Sequence, residues 1–142
     1  MILYLDTSSL VKLYIEETHS NLVKKWVRGA EIVSTCRVAY PETISAFNRR
    51  FKSGDLIKSE YETVLKSFSR EWLSFAVVDF DEIEAGRLVQ KYGFRGFDAV
   101  HLSSAKLIRK QQNSISLSFS SFDEKLNTAA AEEGLTVLSP HL

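Results

Sequence analysis

Ile2-Leu3-Tyr4-Leu5 is an unbroken apolar run, and Asp6 ends it. A strand with one face in water alternates. A run with no polar position fits a strand covered on both faces, as in the parallel sheet of an α/β domain. Thr7, Ser8 and Ser9 follow, and Leu10, Val11, Leu13 and Tyr14 then take up helical spacing. The chain thus sends a central strand out of its core, delivers one carboxylate at the carboxyl end and enters a helix expected over residues 10–16. That end of an open parallel sheet is where ligands bind. Taken alone, Asp6 reads equally as a helix cap.

The same alternation continues. Further strands are expected over residues 31–34, 76–80, 114–119 and 135–138, with helices between them. Thr18 is the expected cap of a helix running to about Arg28, whose apolar stripe is Leu22, Val23, Trp26 and Val27. Tyr40, Ile44, Phe47 and Phe51 share one helical face, and Pro41 suits the first turn. Tyr61, Leu65, Phe68 and Trp72 share another, so a helical hairpin is expected at about residues 38–74. Gly96-Phe97-Asp98 opens a later helix, with Phe97, Val100, Ser104, Leu107 and Ile108 expected on one broad face. Small residues there, Ala99, Ser103, Ser104 and Ala105, permit close packing. The pattern predicts one α/β domain over residues 1–142, a central, mostly parallel five-stranded sheet with helices on both faces in three layers.

Bulk properties narrow the class. The chain has 142 residues, 44% of them hydrophobic, with 6 Gly and 2 Pro, which argues against disorder. Eighteen basic residues balance 18 acidic ones. That excludes an indiscriminate, strongly basic nucleic-acid binder, though not a nuclease with a local basic rim. The lone cysteine, Cys36, excludes an intrachain disulfide and a cysteine-only metal site, and is read as core. No apolar run approaches membrane-spanning length. The apolar start has no basic flank and meets Asp6 too soon for a secretory leader, so a cytoplasmic protein is expected.

Four acidic residues fall at comparable places. Asp6 and Asp123 follow strands; Glu42 and Asp98 lie in first turns of helices. Strand ends and the helix starts that follow them share one edge of an open α/β sheet, so all four can converge. Carboxylates sharing a cleft repel one another, and a hard cation is their natural counter-charge. Oxygen ligands favour Mg²⁺ or Mn²⁺ over zinc. Ser8 and Ser121 are placed to orient Asp6 and Asp123 or to hold water. The competing reading gives Asp6, Asp98 and Asp123 to helix amino ends and pairs Glu42 with Arg49. His101, three residues after Asp98, is read as a packed or hydrogen-bonded helical histidine.

In combination, the stretches Tyr4-Leu5-Asp6-Thr7-Ser8-Ser9-Leu10-Val11-Lys12-Leu13-Tyr14, Tyr40-Pro41-Glu42, Phe97-Asp98-Ala99-Val100-His101-Leu102 and Ser120-Ser121-Phe122-Asp123 resemble the PIN-domain family. Within it they resemble the VapC-type toxin ribonucleases of toxin–antitoxin pairs. The resemblance spans essentially the whole chain. It implies Mg²⁺- or Mn²⁺-dependent hydrolysis of RNA, with Asp6, Glu42, Asp98 and Asp123 as the acidic quartet and metal ligands. Ser8 matches the small polar residue after the first aspartate. Ser121 stands where many members have Thr, and keeps the hydroxyl. The resemblance further implies a homodimer and a cognate antitoxin that wraps the early helices.

Basic residues near these positions, Arg49, Arg50 and Lys52, or Arg87, Lys91 and Arg95, are candidates for flanking RNA phosphates or for ordinary solvated faces. Two rival functions remain at this level. One is another metal-dependent phosphoryl-transfer enzyme. Phosphatases with an aspartyl nucleophile also place Asp after the first strand, but usually carry a second Asp two residues later, where this chain has Ser8. The other is a non-catalytic binding module of the same fold.

Overall fold

A computed structural model describes residues 1–140. Strand β1 (Ile2–Leu5) is buried along its whole length. It occupies the centre of a five-stranded sheet with β2 (Ile32–Cys36), β3 (Ala76–Val78), β4 (Leu117–Ser120) and β5 (Thr136–Leu138), in the order β3-β2-β1-β4-β5. Every pairing is parallel. Successive side chains of a strand point to opposite faces, so β1 divides its four residues between two cores. Ile2 and Tyr4 join α5 (Glu82–Tyr92), α6 (Gly96–Gln111) and α7 (Glu124–Glu132) on one face. Leu3 and Leu5 join α1 (Thr7–Val11), α2 (Ser20–Gly29), α3 (Ala39–Lys52) and α4 (Lys58–Glu71) on the other. That is why the run carries no polar position.

The strand order turns at β1. From there β2 and β3 extend one way and β4 and β5 the other. The crevice at the carboxyl ends of β1 and β4 is therefore the topological switch point of the sheet, where ligands bind in open α/β folds. Buried side chains pin these ends. Thr35 Oγ1 donates to the Leu5 carbonyl at 2.7 Å, and the Ser9 and Ser120 hydroxyls lie 2.8 Å apart.

Local expectations shift in instructive ways. The first helix covers Thr7–Val11, not residues 10–16, because Asp6 caps it directly. Leu10 and Val11 close that helix; Leu13 and Tyr14 face the same core from the turns that follow. The cap of α2 is His19, with φ at 70°, and not Thr18. Ser20 settles the turn by accepting from the Glu17 amide at 2.9 Å and donating to the Ile15 carbonyl at 3.0 Å. Cys36 is fully buried. Phe97 is 59% exposed, against the expectation of a buried face, because the first turn of α6 stands clear of the sheet together with Arg95 and Gly96.

One polar network ties α5, α6 and α7 together. Glu133, with a side chain only 6% exposed, accepts from Arg87, Lys91, Tyr92 and Lys106. Burial alone would raise the Glu133 pKa, but these donors hold it far below the usual carboxylate range. Hydrogen bonding from Arg87 and then Lys106, against a smaller burial effect, lowers Glu84 to about 2. Both folded values lie below the unfolded ones. The stability they supply is therefore complete above the ordinary carboxylate pKa and is lost as pH falls through the depressed values. Urea midpoints are expected to drop between about pH 5 and about pH 2. A Glu84→Gln/Glu133→Gln double variant should be less stable at neutral pH and lose less on acidification. Equal acid slopes for the two proteins would show that the network contributes nothing.

Candidate functional site

At the switch point the loop after β4 is bonded to Ser8 at the start of α1, and Thr7 beside it is bonded to Glu42 in the first turn of α3, which also meets His101 of α6. Asp6 leaves β1 with its amide bonded to the Ser120 carbonyl at 3.1 Å, and is 5% exposed. Its Oδ1 accepts from the Ser9 amide at 3.0 Å and from the Ser8 hydroxyl at 2.7 Å. The Ser8 hydroxyl also accepts from the Phe122 amide at 3.0 Å, so it staples the two strand-end loops together. Both bonds to Asp6 fall on one oxygen, and Oδ2 is committed to neither. Asp6 is thus a cap and a candidate ligand at once; the two readings of the sequence do not exclude each other.

Asp123 caps α7 in the same manner, accepting from the Leu126 amide at 3.0 Å, while its own amide donates to the Ser121 hydroxyl at 3.1 Å. Asp98 lies in the first turn of α6. Burial raises its pKa, and the negative charges of Asp123 and Asp6, then Glu42, add to that effect; His101 opposes it. Asp6, Glu42 and Asp123 therefore all act electrostatically on Asp98, although they lie far from it in the sequence.

Glu42, in the first turn of α3, does not pair with Arg49. Its Oε1 accepts from Thr7 Oγ1 at 2.6 Å and lies 2.8 Å from His101 Nε2. Burial would raise the Glu42 pKa, but the hydrogen bonds from His101 and Thr7 hold it below the usual range. His101 Nδ1 in turn lies 2.8 Å from the Tyr4 hydroxyl, in the core. Arg49 donates to Ser45 Oγ and shares a groove with Thr7, Val38, Pro41, Glu42 and Phe97.

The chain matches the PIN domain over residues 3–132. It belongs to the PIN-domain family. It is 31% identical over 144 residues to Ribonuclease VapC45 of Mycobacterium tuberculosis (strain CDC 1551 / Oshkosh), with 99% of this chain and 97% of that protein covered. This PIN domain is thus closely related to the VapC-type ribonucleases of toxin–antitoxin systems. Among solved structures it resembles FitAcB from Neisseria gonorrhoeae, with a TM-score of 0.69 at 20% identity over 100% of both chains. It also resembles Mycobacterium tuberculosis VapC20, described as a sarcin–ricin loop cleaving toxin, with a TM-score of 0.63 at 17% identity over 97% of this chain and 99% of that one. At those identities the structural likeness speaks for the fold.

In kind, the PIN domain's carboxylates suit a hard divalent cation, and the mutual repulsion at Asp98 is what such a cation relieves. Among the described residues, however, no three His, Cys, Asp or Glu side chains are gathered closely enough to hold a metal as they stand. The other basic candidates divide. Arg50 is turned to Glu17 and Asp55. Arg87 and Lys91 are held by Glu133. Arg95 is exposed and lines an apolar hollow with Phe80, Val89, Phe97 and Val100. Sequence reasoning missed the Tyr4–His101–Glu42–Thr7 chain as a unit. Its only sequence signal is a histidine one helical turn after Asp98.

Proposed function

We propose that this PIN domain is a divalent-metal-dependent endoribonuclease and the toxin of a toxin–antitoxin pair, hydrolysing RNA phosphodiesters. The observation that carries the reading is the 31% identity to a VapC ribonuclease over 99% of the chain, supported by Asp6 held through Oδ1 at the end of β1 with Oδ2 uncommitted. The charges of Asp123, Asp6 and Glu42 act on Asp98 at a cost in repulsion, which supports a functional rather than a purely structural role for these carboxylates. Asp6, Glu42, Asp98 and Asp123 are the proposed metal ligands. When bound, Mg²⁺ or Mn²⁺ lowers the pKa of a water and stabilises charge on phosphodiester oxygens.

The chain's own residues do the rest. Ser8 fixes Asp6, Ser121 fixes the start of α7 at Asp123, and Thr7 and His101 fix Glu42. Arg49, beside Glu42 in the groove, grips a flanking phosphate, with Arg95 a second contact at the start of α6. Arg50, turned to Glu17 and Asp55, is the weakest of the three candidates for RNA. Phe97 offers an exposed ring to an unpaired base. The proposed partners are RNA, a cognate antitoxin protein and a second copy of the chain. Ile83, 79% exposed on α5, and the hollow around Phe80, Val89 and Val100 provide the apolar surface for the copy. Among the described residues no helix is long and apolar enough to cross a membrane.

The rival binding-module reading has one observation in its favour, the lack of a gathered ligand set among the described residues. The deciding experiment incubates purified protein with structured RNAs in Mg²⁺ or Mn²⁺ and in EDTA, and titrates Mn²⁺ directly. Metal-dependent cleavage abolished by EDTA is expected. Absence of both Mn²⁺ binding and cleavage would leave the binding module standing.

A further inference from the structure

We propose that His101, anchored by Tyr4, is a positioning residue that aims Glu42 into the crevice. The argument starts from what each atom is able to donate. An ionised carboxylate only accepts. Thr7 Oγ1 gives its proton to Glu42 Oε1 at 2.6 Å, so at 3.2 Å from His101 Nε2 its oxygen is left to accept. Nε2 faces two acceptors and must carry a hydrogen. On the other side of the ring, Nδ1 faces the hydroxyl of Tyr4, which is wholly buried. That hydroxyl anchors the ring on the side away from Glu42. Nε2–H is thereby the donor directed at Glu42.

The consequence is mechanical. Glu42 rides on α3, yet its Oε1 is tied to α1 through Thr7 and to α6 through His101, and His101 is tied to β1 through Tyr4. With Oε1 taken twice, Oε2 is the oxygen left for the crevice. The competing partner is close at hand, because Arg49 shares the same groove. Remove the Nε2–H donor and Glu42 turns to Arg49, withdrawing a carboxylate from the site and a cation from the RNA path. The value of this aim to catalysis rests on the proposed nuclease reading; the geometry itself does not.

The test has arms that separate the two. Long-range ¹⁵N–¹H spectra of the metal-free wild type should show His101 protonated at Nε2, and Tyr4→Phe should loosen the ring and reduce that protonation. A bare Nε2 in the wild type overturns the proposal. Crystal structures should show Glu42 swung to Arg49 in His101→Leu and retained beside Thr7 in His101→Gln, which keeps an N–H donor. A Glu42 that stays in place in a folded His101→Leu also overturns it, and Tyr4→Phe serves the same purpose if that variant does not fold. With Mn²⁺, His101→Leu should bind about 10- to 100-fold more weakly, with recovery in His101→Gln. The loss in cleavage should fall on kcat through the displaced carboxylate, and KM for RNA should rise as Arg49 is drawn to Glu42. Wild-type protein that binds no Mn²⁺ and cuts no RNA would refute the nuclease reading, while the spectra and structures still decide the role of His101.

Discussion

Asp98→Asn is expected to leave the fold intact, raise the melting temperature of the metal-free protein and remove RNA cleavage. The substitution keeps the volume of the side chain, replaces one acceptor oxygen by an NH2 donor and deletes the charge. A cation's stabilisation of phosphoryl chemistry is worth several kcal/mol, so losing one of its charged ligands costs on the order of a thousandfold in rate. The gain in stability follows from the sign of the pKa shift. Burial and the charges of Asp123, Asp6 and Glu42 raise Asp98 above its unfolded value. Its contribution to stability is thus present below the ordinary carboxylate pKa and lost as pH rises through the folded one. At neutral pH the ionised group is a burden that Asn removes. The gain should shrink as pH falls toward the ordinary carboxylate range, because Asp98 takes up its proton before an unperturbed aspartate does, and it should shrink in saturating Mg²⁺. Thermal melts at two pH values and RNA cleavage check both halves. Equal cleavage by the two proteins would trace the activity to another site or a contaminant. A lowered melting temperature would mean that Asp98 is a structural group. Stability rising as activity vanishes is the signature of a functional charge held against its preference.

How much of this was legible before the structure depended on the range of the interaction. Strand β1 was readable because its neighbours cover both faces and leave a visible mark, an apolar run without alternation. The four acidic candidates could be picked out because three of them sit where strand-to-helix turns or a proline-marked helix start give local signals. What the four do to one another was not readable. The coupling of Glu42 to His101 crosses 59 residues and that of His101 to Tyr4 crosses 97. Both depend on α6 lying over β1, which no local pattern encodes. Phe97 failed for the opposite reason. Its helical spacing was right, but spacing says only which residues share a face. Whether the first turn of that face is covered depends on how far the helix overhangs the sheet. The two readings of Asp6 were never alternatives, because a carboxylate has two oxygens and the cap uses one.

Phe68→Ala is expected to cost about 3–5 kcal/mol of stability, the range for truncating a buried ring. Phe68 is fully buried on α4, with ring centroids of Tyr14 at 5.3 Å, Tyr40 at 5.2 Å, Phe47 at 5.7 Å and Trp72 at 5.6 Å. Tyr40 and Phe47 belong to α3, Tyr14 follows α1, and Trp72 closes α4. One ring thus joins the two arms of the hairpin to each other and to the helix that follows β1. For a chain of this size the loss corresponds to a fall of about 10–20 °C in melting temperature. The exposed neighbour Leu73 supplies the control, since Leu73→Ala should change stability by less than about 0.5 kcal/mol. Glu42 and Arg49 stand on α3, so loosening the hairpin should also lower RNA cleavage well below the melting temperature, where the sheet is still folded. Hydrogen exchange should then rise in α3 and α4 before it rises in β1 and β4. Uniform exchange across the molecule would mean that hairpin and sheet unfold as one unit. In that case Phe68 would matter to the whole fold and only incidentally to the position of Glu42.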